Sequence, residues 1–105
     1  MSVKIEATTS GDEILIAVRG EVDLYSSPQL RTALLDAVPA AGSGVEVDLS
    51  GVDYIDSSGV ATLVEGLKSA RENNKGFILV EPSASVRQVL ELARLDSIFE
   101  VKSAS

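Results

Sequence analysis

The sequence predicts an α/β protein, an open mixed β-sheet packed with about three to four helices in the order β-β-α-β-α-β-α-β. Three observations carry this reading. Two apolar or alternating runs near the start are separated by turn residues, as in a β-hairpin. From residue 45 onward, short β-branched runs alternate with segments whose apolar residues recur at helical spacing. A chain of 105 residues with 45% apolar content can bury one core and is too short for two.

The elements follow in order. Residues 3–9 alternate, with Val3, Ile5 and Ala7 set against Lys4, Glu6 and Thr8, which suits a half-buried strand. Ser10-Gly11-Asp12 supplies a turn, and residues 13–19 form the second strand. Residues 20–25 read as a loop ahead of a helix start at Ser26-Ser27-Pro28-Gln29. There, either Ser27 caps with Pro28 at the first helical position, or Ser26 and Gln29 form a capping box. Leu30, Ala33, Leu34, Ala37 and Val38 mark the apolar face of that helix, and residues 39–44 end it. Residues 45–49 are a central strand, residues 50–55 a loop, and residues 57–73 a second helix with Val60, Leu63, Val64, Leu67 and Ala70 on one face. Asn73-Asn74-Lys75-Gly76 stops it. A short strand over 77–80, a third helix capped by Ser83 or Ser85, and a last strand over 98–101 complete the series, with 102–105 as a frayed tail. Val86, Val89, Leu90 and Ala93 share a face of the third helix. The first strand is expected at an antiparallel edge and the others parallel, joined by right-handed crossovers. Whether the helices cover one face or both is left open.

Composition removes several function classes. Without cysteine or histidine there is no disulfide, no thiolate–imidazole pair, no Ser-His-Asp triad and no typical zinc site, although a carboxylate-only magnesium or calcium site is not excluded. No cofactor is implied. No run approaches the ~18 apolar residues of a membrane span, and the first residues mix acid, base and apolar side chains unlike a signal peptide. A cytoplasmic protein is expected. Net charge is −7, and no lysine or arginine occurs between Arg31 and Lys68, an interval holding Asp36, Glu46, Asp48, Asp53, Asp56 and Glu65. Such a surface repels nucleic acids and anionic membranes; it suits equally the ordinary solubility of an acidic protein and the steering of a basic protein partner.

Asp56-Ser57-Ser58-Gly59 stands where a strand-loop region meets a helix. A hydroxyl there is exposed at the positive end of a helix dipole, where free backbone N–H groups can hold a phosphate. The fold is therefore expected to survive modification of Ser57. Asp56 is expected to cap the helix and orient the Ser57 hydroxyl. Gly59 either allows close approach of a kinase or serves a tight helix start. Gly66 costs about 1 kcal/mol relative to alanine, which predicts close packing against a neighbour.

The run from Val45 through Val60, with Gly20-Glu21-Val22-Asp23 upstream and Leu92 to Phe99 downstream, resembles the STAS domain. More narrowly it resembles the bacterial anti-sigma factor antagonists of that family, over essentially residues 1–105 as a single STAS domain. The resemblance implies that Ser57 is the phosphoacceptor and that the chain is no enzyme. An unphosphorylated member binds a serine kinase of the GHKL-type ATPase fold that also acts as an anti-sigma factor, and so frees the sigma factor. The kinase inactivates its antagonist by phosphorylation, and a PP2C-type phosphatase restores it. On that pattern Asp23, Leu24, Tyr25, Asp56, Ser57, Ser58, Gly59 and Thr62 form the partner surface. Read from the residues alone, Asp23 equally suits a loop acid satisfying backbone N–H groups, Leu24 a core residue, and Ser58 a first-turn hydroxyl helping the cap.

Three rivals are weaker. A receiver domain phosphorylated at Asp48 lacks its acidic pair and late lysine, since the first strand ends Thr8-Thr9-Ser10-Gly11 and the fourth Val80-Glu81-Pro82-Ser83. A nucleotide-binding enzyme lacks a phosphate loop. A STAS module in a stressosome-like or transporter-associated assembly shares the fold and differs only in partner. A monomer or weak dimer is expected.

Overall fold

Residues 3–22 fold back on themselves as the expected hairpin in the computed structural model, which describes residues 2–103. Strand β1 (Val3–Ser10) runs antiparallel to β2 (Glu13–Val22), with Ser10 opposite Glu13. The intervening loop is Gly11-Asp12, with Gly11 at φ +60°, a hairpin that places glycine first. Helix α1 (Ser27–Ala40), β3 (Gly44–Ile55), α2 (Ser57–Glu72), β4 (Gly76–Val80), α3 (Ala84–Leu92) and β5 (Glu100–Lys102) follow. The sheet order is β1-β2-β3-β4-β5, antiparallel at β1 and parallel elsewhere.

Each crossover moves one strand in the same direction, so right-handed connections place all three helices on one face. Burial agrees. Ile16 and Val18 of β2, Val45, Val47 and Leu49 of β3, and Phe77 and Leu79 of β4 are buried beneath the helices. On the opposite face Leu15, Ala17, Glu46, Asp48, Ile78 and Val80 are only partly buried. Leu30, Leu34 and Val38 of α1, Leu63 and Leu67 of α2, and Val86 and Leu90 of α3 complete one core. Gly66 brings α2 down onto it: a Cβ there would lie 2.9 Å from the Phe77 ring and 3.0 Å from Leu34. The close packing expected of Gly66 is present.

Several boundaries differ from those read in the sequence. Residues 20–22 and 50–55 belong to strands, not loops, because β2 and β3 continue pairing through Val22 and Ile55. Ser50, Gly51 and Asp53 resemble loop residues, yet β3 absorbs them. It carries one extra residue between the pairs Ala17/Asp48 and Arg19/Gly51, and another between Gly20/Val52 and Glu21/Tyr54. Gly20 sits at φ +99°, and a Cβ there would come within 2.5 Å of the Ser2 carbonyl oxygen, so only glycine fits this kink.

Helix α1 forms neither expected cap. Ser26 precedes it without a side-chain cap bond, Ser27 opens it, and the helix runs past Pro39 to Ala40. Ser83, not Ser85, caps α3, accepting from the Val86 N–H while donating to the Val52 carbonyl at 2.7 Å. The last strand begins at Glu100, two residues later than expected, because Phe99 is withdrawn into the core beside Phe77 at a ring-centroid separation of 6.4 Å. Lys102 is not frayed: its carbonyl accepts from the Glu81 N–H at 2.8 Å. The expected tail otherwise extends to Ala104 and Ser105, outside the described residues.

Both α2 and α3 end in the same hydrogen-bond pattern. Lys75 N–H donates to Ala70 and Asn74 N–H to Arg71; Leu95 N–H donates to Leu90 and Arg94 N–H to Glu91. Asn74 (φ +56°) and Arg94 (φ +59°) take the left-handed position such an ending requires.

Candidate functional site

The ends of β2 and β3 lie side by side, so the segments leaving them share one edge of the sheet. Val22 pairs with Ile55, and the Asp56 N–H donates to the Val22 carbonyl at 3.1 Å. This register brings Asp23, Leu24 and Tyr25 to the edge that also carries Asp56, Ser57 and Ser58.

Asp56 is the N-cap of α2 in extended conformation (φ −112°, ψ −173°). Its Oδ1 accepts from the Ser58 N–H at 3.0 Å, the Gly59 N–H at 3.2 Å and the Ser58 hydroxyl at 2.5 Å. The carboxylate therefore orients Ser58, not Ser57 as the sequence suggested. Ser58 is half-buried and its carbonyl accepts from the Thr62 hydroxyl at 3.0 Å. Ser57 opens the helix exposed, and its hydroxyl has no hydrogen-bond partner among the described residues. Part of the expected anion cradle is taken, because the first-turn N–H groups of Ser58 and Gly59 are bound by Asp56.

Gly59 and Thr62 are buried and so present no side chain to a partner. A Cβ on Gly59 would lie 2.6 Å from Ile55 Cγ1 and 2.8 Å from Val22 Cγ1. The glycine lets the helix start sit on the strand ends; room for a kinase is not what requires it.

The second segment is built on Asp23, whose carboxylate is buried. Its Oδ1 accepts from the Tyr25 and Ser26 N–H groups, each at 3.0 Å, and lies 3.1 Å from the Ser26 hydroxyl. That hydroxyl donates to the Glu21 carbonyl at 2.7 Å and accepts from the Asp23 N–H at 2.9 Å. The Ser26 N–H, helped by the Ser26 hydroxyl and the Tyr25 N–H, holds the Asp23 carboxyl below its ordinary value, against the opposing effect of burial. Asp23 is thus the loop acid that the residues alone allowed, and not a free surface charge. What it presents is Leu24, 67% exposed, and Tyr25, 86% exposed. Leu24 is not a core residue.

Ser26 went unnoticed as a site residue, and so did a groove between α2 and α3. Val60, Ala61 and Val64 form one wall, Val89, Ala93 and Leu95 the other, and Ser57 stands at its end. Its volume is about 430 Å³. A signal was present: Val64, Val89 and Ala93 widen the apolar stripes of their helices beyond what the core takes up. Ala61 and Ala93 are too short to close the gap.

The geometry can be set beside known proteins. The profile of the family described as "Mlab, STAS domain" matches residues 5–100. An anti-sigma-B factor antagonist of Listeria monocytogenes is 32% identical over 104 residues, spanning 98% of this chain and 91% of the relative. The crystal structure of an anti-sigma factor antagonist from Mycobacterium paratuberculosis superposes with a TM-score of 0.86 at 23% identity, covering 96% of this chain and 86% of that one. The Bacillus cell fate determinant SpoIIAA in its phosphorylated form superposes with a TM-score of 0.75 at 21% identity, covering 99% and 92%. Sequence profile and fold agree: the chain belongs to the STAS domain family, and its relatives there are anti-sigma factor antagonists.

Proposed function

We propose that this protein is an anti-sigma factor antagonist whose hold on its partner is set by phosphorylation of Ser57. The observation that carries the reading is the division between two adjacent serines. Ser58 is tied to Asp56, while Ser57 is exposed and unbound among the described residues. A serine kinase reaching this edge meets one free serine hydroxyl. The names of the relatives and the phosphorylated form of SpoIIAA support the same assignment.

In this reading the chain is substrate and ligand, and its partner supplies the chemistry. A GHKL-type serine kinase that also restrains a sigma factor transfers the γ-phosphoryl group of ATP to the Ser57 oxygen. The O–P bond forms, ADP leaves, and the hydroxyl proton passes to a base on the kinase. A PP2C-type phosphatase then hydrolyses the ester with water, returning the hydroxyl and inorganic phosphate. The cycle runs in the cytoplasm and regulates sigma-factor-dependent transcription.

The phosphate adds about −1.5 to −2 charges beside Asp56, whose cap already occupies the Ser58 and Gly59 N–H donors. The helix dipole favours that charge and Asp56 opposes it, so the fold survives and the cost falls on the partner. One like-charge contact at about 4 Å and an effective dielectric near 20 amounts to about 4 kcal/mol. Half of that exceeds a tenfold change in affinity, which takes about 1.4 kcal/mol.

Intact-mass analysis with a candidate kinase and ATP tests the assignment. One phosphate increment is expected on wild type and on Ser58→Ala, and none on Ser57→Ala. Labelling that survives Ser57→Ala and disappears in Ser58→Ala would transfer the site to Ser58.

A further inference from the structure

Strand β1 is the long open edge of the sheet. Its eight residues pair with β2 without a bulge and include no proline, whereas β5 at the opposite edge has three residues. We infer that this edge pairs with β1 of a second copy of the chain, antiparallel about a two-fold axis at Ile5, joining two sheets into one. The pairing is independent of the antagonist reading above.

The register follows from hydrogen bonding and charge. The Glu21 N–H donates to the Ser2 carbonyl at 3.2 Å, and Val3 stands opposite Gly20. That alternation gives Lys4, Glu6 and Thr8 the bonds to β2 and turns the N–H and C=O groups of Val3, Ile5, Ala7 and Thr9 outward. An antiparallel partner must bring outward groups together, so odd residues face odd residues. Centred on Ile5, Val3 meets Ala7 of the other copy, and Lys4 meets Glu6 on both sides of the axis. Centring on Lys4 or on Glu6 sets like charges opposite each other. Centring on Ala7 leaves Lys4 facing Ser10, with no carboxylate.

Neither charge is satisfied within the chain. Lys4 and Glu6 are exposed and form no ion pair among the described residues, and Lys4 faces the like charge of Arg19 across the hairpin. A lysine on an edge strand deters pairing unless an acid meets it, and here the second copy supplies the acid. The other face of β1 fits as well. Val3 and Ile5 are only half-buried and Ala7 is exposed, so Ile5 against Ile5 and Val3 against Ala7 extend the apolar rim of the core. Helix α1 packs chiefly on β2. At about 4.8 Å per strand the two β2 strands stand about 14 Å apart, wider than the ~8–10 Å between packed helices, so the two α1 helices clear each other. The axis reverses the strands, so the two Ser57 edges point to opposite ends and both stay open. A net charge of −7 on each copy opposes association and keeps the dimer weak.

Sedimentation equilibrium of the full chain, over a series reaching about 1 mM, tests the pairing; a Kd of about 1 mM or tighter is expected. Ala7→Pro removes an outward N–H that β2 does not use, and should weaken the dimer about tenfold or more. Lys4→Glu and Glu6→Lys should each do the same by setting like charges opposite on both sides of the axis. Mixing the two single variants, or combining both substitutions in one chain, should restore association to within about threefold of wild type. Urea unfolding of the dilute monomer checks each fold, and Lys4→Glu should lose no stability, since it removes a repulsion from Arg19. Should Ala7→Pro not fold, the charge reversals decide alone. A wild type that stays monomeric overturns the inference and leaves the edge to a strand of another protein or to none. A dimer that survives the charge reversals lies on another surface, and the inference fails. Failure of the double variant to associate rejects the register at Ile5 and the inference with it.

Discussion

The loop at Asp23 and the helix start at Asp56 use one device. In each, a single aspartate oxygen gathers two backbone N–H groups and a serine hydroxyl from the next three residues. In each, the residues spanned by that bracket are pushed outward. At Asp23 they are Leu24 and Tyr25, an aliphatic and an aromatic side chain. At Asp56 the outward residue is Ser57, a hydroxyl that a kinase can esterify. The difference lies in burial. Asp23 is sealed, so its loop is a fixed surface; Asp56 is half-exposed, so charge added next to it is felt by whatever docks. One bracket presents a constant contact and the other a variable one.

Substitutions can break or sharpen that contrast. Gly59→Ala should have the largest effect on stability, because its Cβ meets Ile55 and Val22 on the strand ends and neither can retreat into open space. A loss of about 1–3 kcal/mol is expected in urea unfolding. A loss under about 0.5 kcal/mol would show that the helix start is not seated as described.

Asp23→Ala should come next and exceed Asp56→Ala, since the donors it abandons are more deeply buried. Asp56→Ala should cost about 1 kcal/mol, the usual worth of a cap. Equal losses would mean that the two brackets do not differ in burial as described. Because the Asp23 carboxyl titrates below 3.8 when folded, its contribution is present above that pH and is lost as pH falls through the lower folded value. Acid unfolding of Asp23→Asn should therefore lose the part of the pH dependence lying below about pH 4.

The smallest effect on stability is expected for Leu24→Ser and Tyr25→Ser, within about 0.5 kcal/mol of wild type. Their affinity for the proposed kinase partner should nonetheless drop about tenfold. A pair of variants that lost stability instead would place these side chains in the fold rather than on its surface.

Element order, the antiparallel edge and the position of Ser57 were legible in the sequence, since apolar periodicity and turn residues report local structure directly. The continuation of β2 and β3 was not. Gly20, Ser50, Gly51 and Asp53 carry loop chemistry, and only pairing between distant segments makes them strand. The roles of Asp23, Ser58 and Gly59 were legible as alternatives, and the choice between them needed to know which atoms face inward. The groove was hidden for a related reason. An apolar residue on a helix looks the same whether a core covers it wholly, as at Leu63, or only in part, as at Val64.

The β1-β2-β3-β4-β5 order bears also on how the molecule is made. Every strand finds its first neighbour in the strand synthesised just before it. No crossover skips a position, so each pairing closes a short loop of chain and pays little entropy for it. A chain lengthening from its amino terminus can add strands to the sheet in the order of synthesis. The platform carrying Ser57 needs only β2, β3 and α2, and the far wall of the groove follows with α3. Assembly of the Ser57 edge thus precedes completion of the groove beside it.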